Sequence, residues 1–191
     1  MKKLLILALS LSASTLTLAQ TVTYLGAPDT IDDNNLATPL CTTVTMPGSA
    51  TVSSANFVQV DFAATHSWVG DLHITLESPT GTVIMLRDRG GVTGDSSNLD
   101  AANPISFFDT AANAIADIGA NCTNTEIIGV DCPEVEFVPT EPLSTFNTEA
   151  AAGTWTLCVA DGAGGDTGDL TSWSMVGDGS LPVELQTFSI D

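Results

Sequence analysis

Acidic side chains set apart by glycines are the first feature of this sequence with chemical potential. Asp161-Gly-Ala-Gly-Gly-Asp166-Thr-Gly-Asp169 places three carboxylates in nine positions, and the intervening glycines let backbone carbonyls turn toward a common centre. Calcium takes six to eight oxygen ligands from such loops. Asp71, Asp88 and Asp95 lie in other segments that end or begin strands. The expectation is a calcium site with Asp71, Asp161 and Asp166 as its leading ligands; the alternative is that the Asp-Gly pairs form turns, with Asp166 or Asp169 capping backbone amides. The pattern is not an EF-hand loop, which is tighter and ends in Glu.

Other chemistries find less support. His66 and His73 are the only histidines, and no serine stands in a G-x-S-x-G context. A serine-protease triad needs a hydroxyl, an imidazole and a carboxylate in mutual reach. His73 falls on the polar face of an alternating run, where a solvated ring is expected. His66 precedes Ser67-Trp68 at a strand end, where a structural hydrogen bond is expected in preference to base catalysis. No HExxH marks a zinc protease. No catalytic residue is assigned.

Lys and Arg total 4 against 23 Asp and Glu, for a net charge of −19. Such a surface repels phosphate backbones and anionic lipid heads, which argues against nucleic acid as a partner. Met1-Lys2-Lys3, an apolar run from Leu4 to Leu11 and small residues before Gln20 form a secretory signal pattern over residues 1–19. No later run is long enough for a membrane span after its removal. The chain is therefore expected to be secreted, extracellular or at the cell surface.

An oxidising compartment makes disulfides the expected fate of Cys41, Cys122, Cys132 and Cys158. Four cysteines allow three pairings. Cys122 and Cys132 bracket a short segment and suit a loop staple, which would leave Cys41 with Cys158. A zinc site is the rival, without a CxxC or clustered histidines to support it.

The elements that position these groups read as strands. Val58, Val60 and Phe62 alternate with polar residues, as do Leu72, Ile74 and Leu76, then Trp155, Leu157 and Val159, then Trp173 and Met175. Period two with one wet face indicates antiparallel strands. Gly70-Asp71 leads into a strand, and Ser78-Pro79-Thr80-Gly81 is a turn that folds it back as a hairpin. Trp155 and Trp173 are expected to fill the space between two sheets. Thr110 to Ala116 could turn as a short helix. Leu99–Pro104 and Cys122–Pro142 read as long loops. The 43% hydrophobic content fills one domain: the expectation is an all-β, antiparallel β-sandwich.

Three segments carry a family resemblance. Ile31-Asp32-Asp33-Asn34 is similar to the entry motif of the P domain, or Homo B domain, found after the catalytic domain of subtilisin-like proprotein convertases. His66-Ser-Trp-Val-Gly-Asp-Leu-His-Ile-Thr-Leu-Glu-Ser-Pro-Thr-Gly-Thr82 with Leu86-Arg-Asp-Arg-Gly-Gly91, and Gly153-Thr-Trp-Thr-Leu-Cys-Val-Ala-Asp161 continuing to Ser174, resemble the rest of that domain. The resemblance implies a jelly roll related to galactose-binding-like folds, occupying residues 24–178, that accompanies a protease without cleaving peptides itself. The usual family setting differs in having a catalytic domain ahead of the P domain, whereas here the signal pattern leads almost directly to Ile31. The implied partner is a separately encoded secreted protease, with the domain acting in stabilisation or interaction. A carbohydrate- or surface-binding module, with Trp68 as the sugar platform, is the second reading. A peptidase in its own right is the third. Residues 179–191 form a tail: Leu181 to Asp191 resembles the connector ahead of C-terminal sorting domains, or alternatively an edge strand packing Val183, Leu185 and Phe188.

Overall fold

The computed structural model describes residues 20–49, 51–53, 57–89, 97–119, 121–122 and 125–177. The signal segment 1–19, the tail 179–191 and Asp95 lie outside these residues.

Among the described residues ten strands follow one another: β1 (Gln20–Ile31), β2 (Leu40–Met46), β3 (Phe57–His66), β4 (Leu72–Glu77), β5 (Val83–Arg87), β6 (Ile105–Phe107), β7 (Asn113–Ala114), β8 (Glu136–Val138), β9 (Gly153–Asp161) and β10 (Gly168–Gly177). They form a six-stranded sheet in the order β1-β10-β3-β6-β8-β7 and a four-stranded sheet in the order β2-β9-β4-β5. The fold is an all-β sandwich.

The alternating runs place their apolar members between the sheets. Val60 and Phe62 of β3, Leu72, Ile74 and Leu76 of β4, Trp155, Leu157 and Val159 of β9, and Trp173 and Met175 of β10 are all buried. Shielding a side chain of this size from water contributes about 1.5–3 kcal/mol. Each buried indole also needs an acceptor. Trp155 Nε1 donates to the Ala151 carbonyl at 2.8 Å, and Trp173 Nε1 crosses to the other sheet to donate to Thr42 Oγ1 at 2.9 Å. Phe146 packs edge-on against Trp155, with ring centroids 5.0 Å apart.

The turn between β4 and β5 forms as its residues predict. Gly81 N donates to Ser78 O and Ser78 N to Thr82 O, with Gly81 at φ 88°, where glycine carries no Cβ penalty. Glu149, from a distant segment, accepts hydrogen bonds from Ser78 Oγ at 2.6 Å and from the Thr80 and Thr82 hydroxyls. The turn is thereby tied to the chain that enters β9.

Two expectations are corrected. Thr110–Ala116 is not a helix: Asn113 and Ala114 pair in parallel with Phe137 and Val138, and a single 3₁₀ turn follows at Ile115–Asp117. Seven residues are too few to sustain a helix alone, and buried Ile115 and Ile118 pin the segment to the core instead. Nor is the stretch from Cys122 to Pro142 all loop. Phe137, fully buried between half-exposed or exposed neighbours, anchors β8 parallel to β6. The connection from β6 to β8 is long enough for the parallel arrangement, which a tight turn forbids.

Both expected disulfides are present. Cys122–Cys132 closes the excursion, and Cys41–Cys158 joins directly opposed residues of β2 and β9.

Candidate functional site at the acidic rim

The register brings four strand ends together. His66, the last residue of β3, pairs with Gly168, the first of β10; Leu72, the first of β4, pairs with Asp161, the last of β9. These pairs belong to different sheets, so His66 and Asp161 face each other across one end of the sandwich. His66 Nε2 lies 3.3 Å from Asp161 Oδ2, and both side chains are fully buried. Gly168 permits this convergence: a Cβ there would stand 1.9 Å from the Thr65 carbonyl oxygen.

A buried polar group must be hydrogen-bonded. Nε2 faces the Asp161 carboxylate, and Nδ1 lies between two groups of Trp68: the carbonyl oxygen at 2.9 Å, to which it donates when it carries a proton, and the amide at 3.2 Å, from which it accepts when it does not. Asp161 Oδ1 accepts from Ala163 N at 2.9 Å, and its backbone carbonyl accepts from Asn35 N at 2.7 Å. His66 thus holds a structural hydrogen bond, as its position at a strand end predicts. The neighbouring Ser67 hydroxyl turns away from the ring, donating to Asp166 Oδ1 at 2.8 Å and accepting from Thr167 N. That geometry supplies no activated nucleophile.

Asp71 follows Gly70 in a 3₁₀ turn, Val69–Asp71, that feeds β4. Burial raises the pKa of its carboxyl above the ordinary value; the negative charge of Asp161, and more weakly that of Asp166, pushes the same way, against Arg89. Arg89 Nε reaches Asp71 Oδ1 at 3.4 Å by lying across Gly162, where a Cβ would come within 2.3 Å of Arg89 Cδ. Asp33 closes the far side by accepting from Gly165 N through both carboxylate oxygens.

Asp71, Asp161 and Asp166 therefore do share one rim. Asp88 does not join them; it sits 3.6 Å from half-buried His73. Sequence reasoning missed Arg89 and Asp33 as members of the rim. Both lie within the recognised motifs, and the signal for Arg89 was the glycine opposite it. Each carboxylate has its own protein donor, and among the described residues no group of three His, Cys, Asp or Glu side chains is arranged to hold a metal. The donor chemistry, oxygen throughout with excess negative charge, is that of a hard cation. An ion here would compete with Arg89 and Ser67 for Asp71 and Asp166.

The three segments singled out in the sequence meet at this rim: Asp33 from the first, followed by Asn35 just beyond it, His66 to Arg89 from the second, and Asp161 to Gly168 from the third. Residues 55–110 and 131–176, more than half of the chain, match the proprotein convertase P-domain family. The chain belongs to that family. Two solved structures are similar to this P domain. One is the serine protease of Aeromonas sobria, at 22% identity and TM-score 0.49, covering 85% of this chain and 26% of that one. The other is the complex of the Aeromonas sobria serine protease with its chaperone, at 23% identity and TM-score 0.49, covering 85% and 27%. The P domain spans about a quarter of the length of these chains. No curated protein matches it.

Proposed function

We propose that this P domain is a secreted, non-catalytic module that stabilises or docks onto a subtilisin-like serine endopeptidase and so serves proteolysis. Membership of the proprotein convertase P-domain family carries this reading. The rim supports it, because the recognised motifs are used to fasten strand ends together and neither nitrogen of His66 faces a hydroxyl. Two disulfides and the leader pattern of residues 1–19 support export. Among the described residues no helix is long and apolar enough to cross a membrane. Calcium belongs to the proposal as a counterion of Asp71, Asp161 and Asp166.

The experiment is affinity capture with tagged P domain from the culture supernatant of its source organism. Recovery of a subtilisin-type endopeptidase whose thermal inactivation slows when the P domain is added is the expected result. Supernatants that contain such an endopeptidase yet yield none on the P domain would overturn the partner assignment. The P domain alone is expected to leave unstructured peptide substrates intact.

A further inference from the structure

The outer face of the six-stranded sheet, away from the acidic rim, carries a second polar site. Register places Thr23, Ser174, Asp61, Ser106 and Glu136 in one row across five strands, with Asp61 at its centre. Trp173 and Phe62, one position along, are buried in the core, so Asp61 and Ser174 face outward. Asp61 is half-buried there and held by neutral donors only. Gln59 Nε2 and Ser106 Oγ donate to Oδ1 at 2.5 and 2.6 Å, and Ser174 Oγ donates to Oδ2 at 3.2 Å. A carboxylate has about four acceptor positions. Protein donors take three of them, two on Oδ1 and one on Oδ2.

Asp61 lines a cavity of about 210 Å³ together with Ala63, Ala101, Pro104, Ser172, Trp173 and Ser174. Small side chains on β3 and β10 create the space, and the turn closed by Asn103 N to Asp100 O forms its outer lip. The basic groups of the described residues are engaged elsewhere: Arg87 with the Val69 carbonyl, Arg89 with Asp71, His66 with Asp161 and His73 with Asp88. A half-buried carboxylate that meets no counter-charge among the described residues favours an incoming cation, and a charge-assisted hydrogen bond is about twice as strong as a neutral one. Whole small-molecule sites run to roughly 300–1,000 Å³. This cavity is smaller. It suits the tip of one extended side chain and not a sugar ring: Trp173, the aromatic residue in its wall, is buried in the core and offers no face to stack on.

We propose that the Asp61 cavity binds the cationic tip of a single lysine or arginine side chain presented by a partner polypeptide, with Asp61 as its counter-ion and the Ser174 and Ser106 hydroxyls fixing the carboxylate. The site does not depend on the partner being a protease.

The test is amide-resolved NMR titration of the secreted, disulfide-intact chain with acetylated, amidated pentapeptides that carry one central Lys, Arg or norleucine. Lys or Arg peptide at millimolar concentration is expected to shift the amides of Ala63, Ala101, Ser172 and Ser174, and norleucine is not. Asp61→Asn, which keeps an acceptor for Ser106 and presents an amide donor to the Ser174 hydroxyl, is expected to weaken binding about tenfold or more, the loss of one charge-assisted contact. Ser172→Phe leaves Asp61 in place and fills the cavity, and it is expected to abolish the shifts. If Asp61→Asn fails to fold, Ser172→Phe decides alone. Equal shifts from norleucine, shifts that survive Ser172→Phe, shifts from galactose but not from the basic peptides, or no shift at all would each overturn the proposal.

Discussion

His66, at the end of a strand in one sheet, and Asp161, at the end of a strand in the other, meet at 3.3 Å with no solvent exposure on either side chain. The pair clamps the two layers at the rim. Removing one member strands the other in a dry site, which costs about 3–5 kcal/mol for a buried ion pair and about 1–3 kcal/mol for a neutral hydrogen bond. His66→Ala and Asp161→Ala are each expected to lower stability by about 2–4 kcal/mol. In a double-mutant cycle by urea denaturation the double variant should cost clearly less than the two single changes added together. Simple additivity would show that the two residues do not act as a pair.

Gly168 tests the same clamp through the backbone. An Ala Cβ would lie 1.9 Å from the Thr65 carbonyl oxygen, and backbone has little room to yield. Gly168→Ala is expected to cost about 3 kcal/mol or more, at the upper end for overpacking. Gly165, at φ 111° with open space around it, is the control. Gly165→Ala carries backbone strain alone, about 1–2 kcal/mol. Thermal denaturation of the two variants should rank them in that order.

Glu149 gives a pH dependence of defined sign. Partial burial works against its charged form, but hydrogen bonds from Ser78, Thr80 and Thr82 together hold its pKa below the ordinary 4.5. Its contribution is therefore present above the unfolded value and is lost as pH falls through the lower, folded value. Glu149→Gln should narrow the stability difference between pH 6 and pH 3 relative to the parent chain. Asp71 pulls in the opposite direction but is common to both proteins, so it cancels in the comparison. Identical pH profiles would remove this role for Glu149.

Calcium is expected to raise the melting temperature of chelator-treated protein at millimolar concentration, because a ligand selective for the folded state stabilises it. Asp71→Asn should abolish the rise, and Asp88→Asn, which changes a carboxylate away from the rim, should leave it. An unchanged melting temperature in the parent chain would rule calcium out.

The two disulfides should differ in weight. Cys41 and Cys158 are 117 residues apart, Cys122 and Cys132 only 10. Chain-entropy reasoning gives about 5 kcal/mol for the first closure and about 3 kcal/mol for the second. Replacing each pair with alanines and comparing denaturant midpoints tests the order. A larger loss from the shorter closure would contradict it.

The core was legible because its signal is local: alternation along Leu72–Ile74–Leu76 or Trp155–Leu157–Val159 states which face is dry. The shared rim of Asp71, Asp161 and Asp166 was legible from glycine-spaced loops and recognised motifs. Its internal wiring was not. That Arg89 crosses Gly162 to reach Asp71, or that Asp33 caps Gly165, depends on contacts between residues far apart in the chain. The same holds for β8, whose three residues carry no periodicity and become a strand only because Phe137 finds a vacant position beside β6. Asp61 was hidden for the opposite reason: it falls on the polar half of an ordinary alternating strand, and only register shows serines to either side of it.

The family match breaks between residues 110 and 131, the stretch that carries β7 and opens the loop closed by Cys122–Cys132. Its strand takes the outermost position of the larger sheet and its loop brings its own fastener, while buried Ile115, Ile118 and Ile128 hold the segment to the core. Bridges from His66 to Leu99 and from Asn98 to Ile127 join this loop to the clamped strand end, so foreign sequence grafted between Cys122 and Cys132 would leave the clamp undisturbed only where Ile127 and Ile128 are kept.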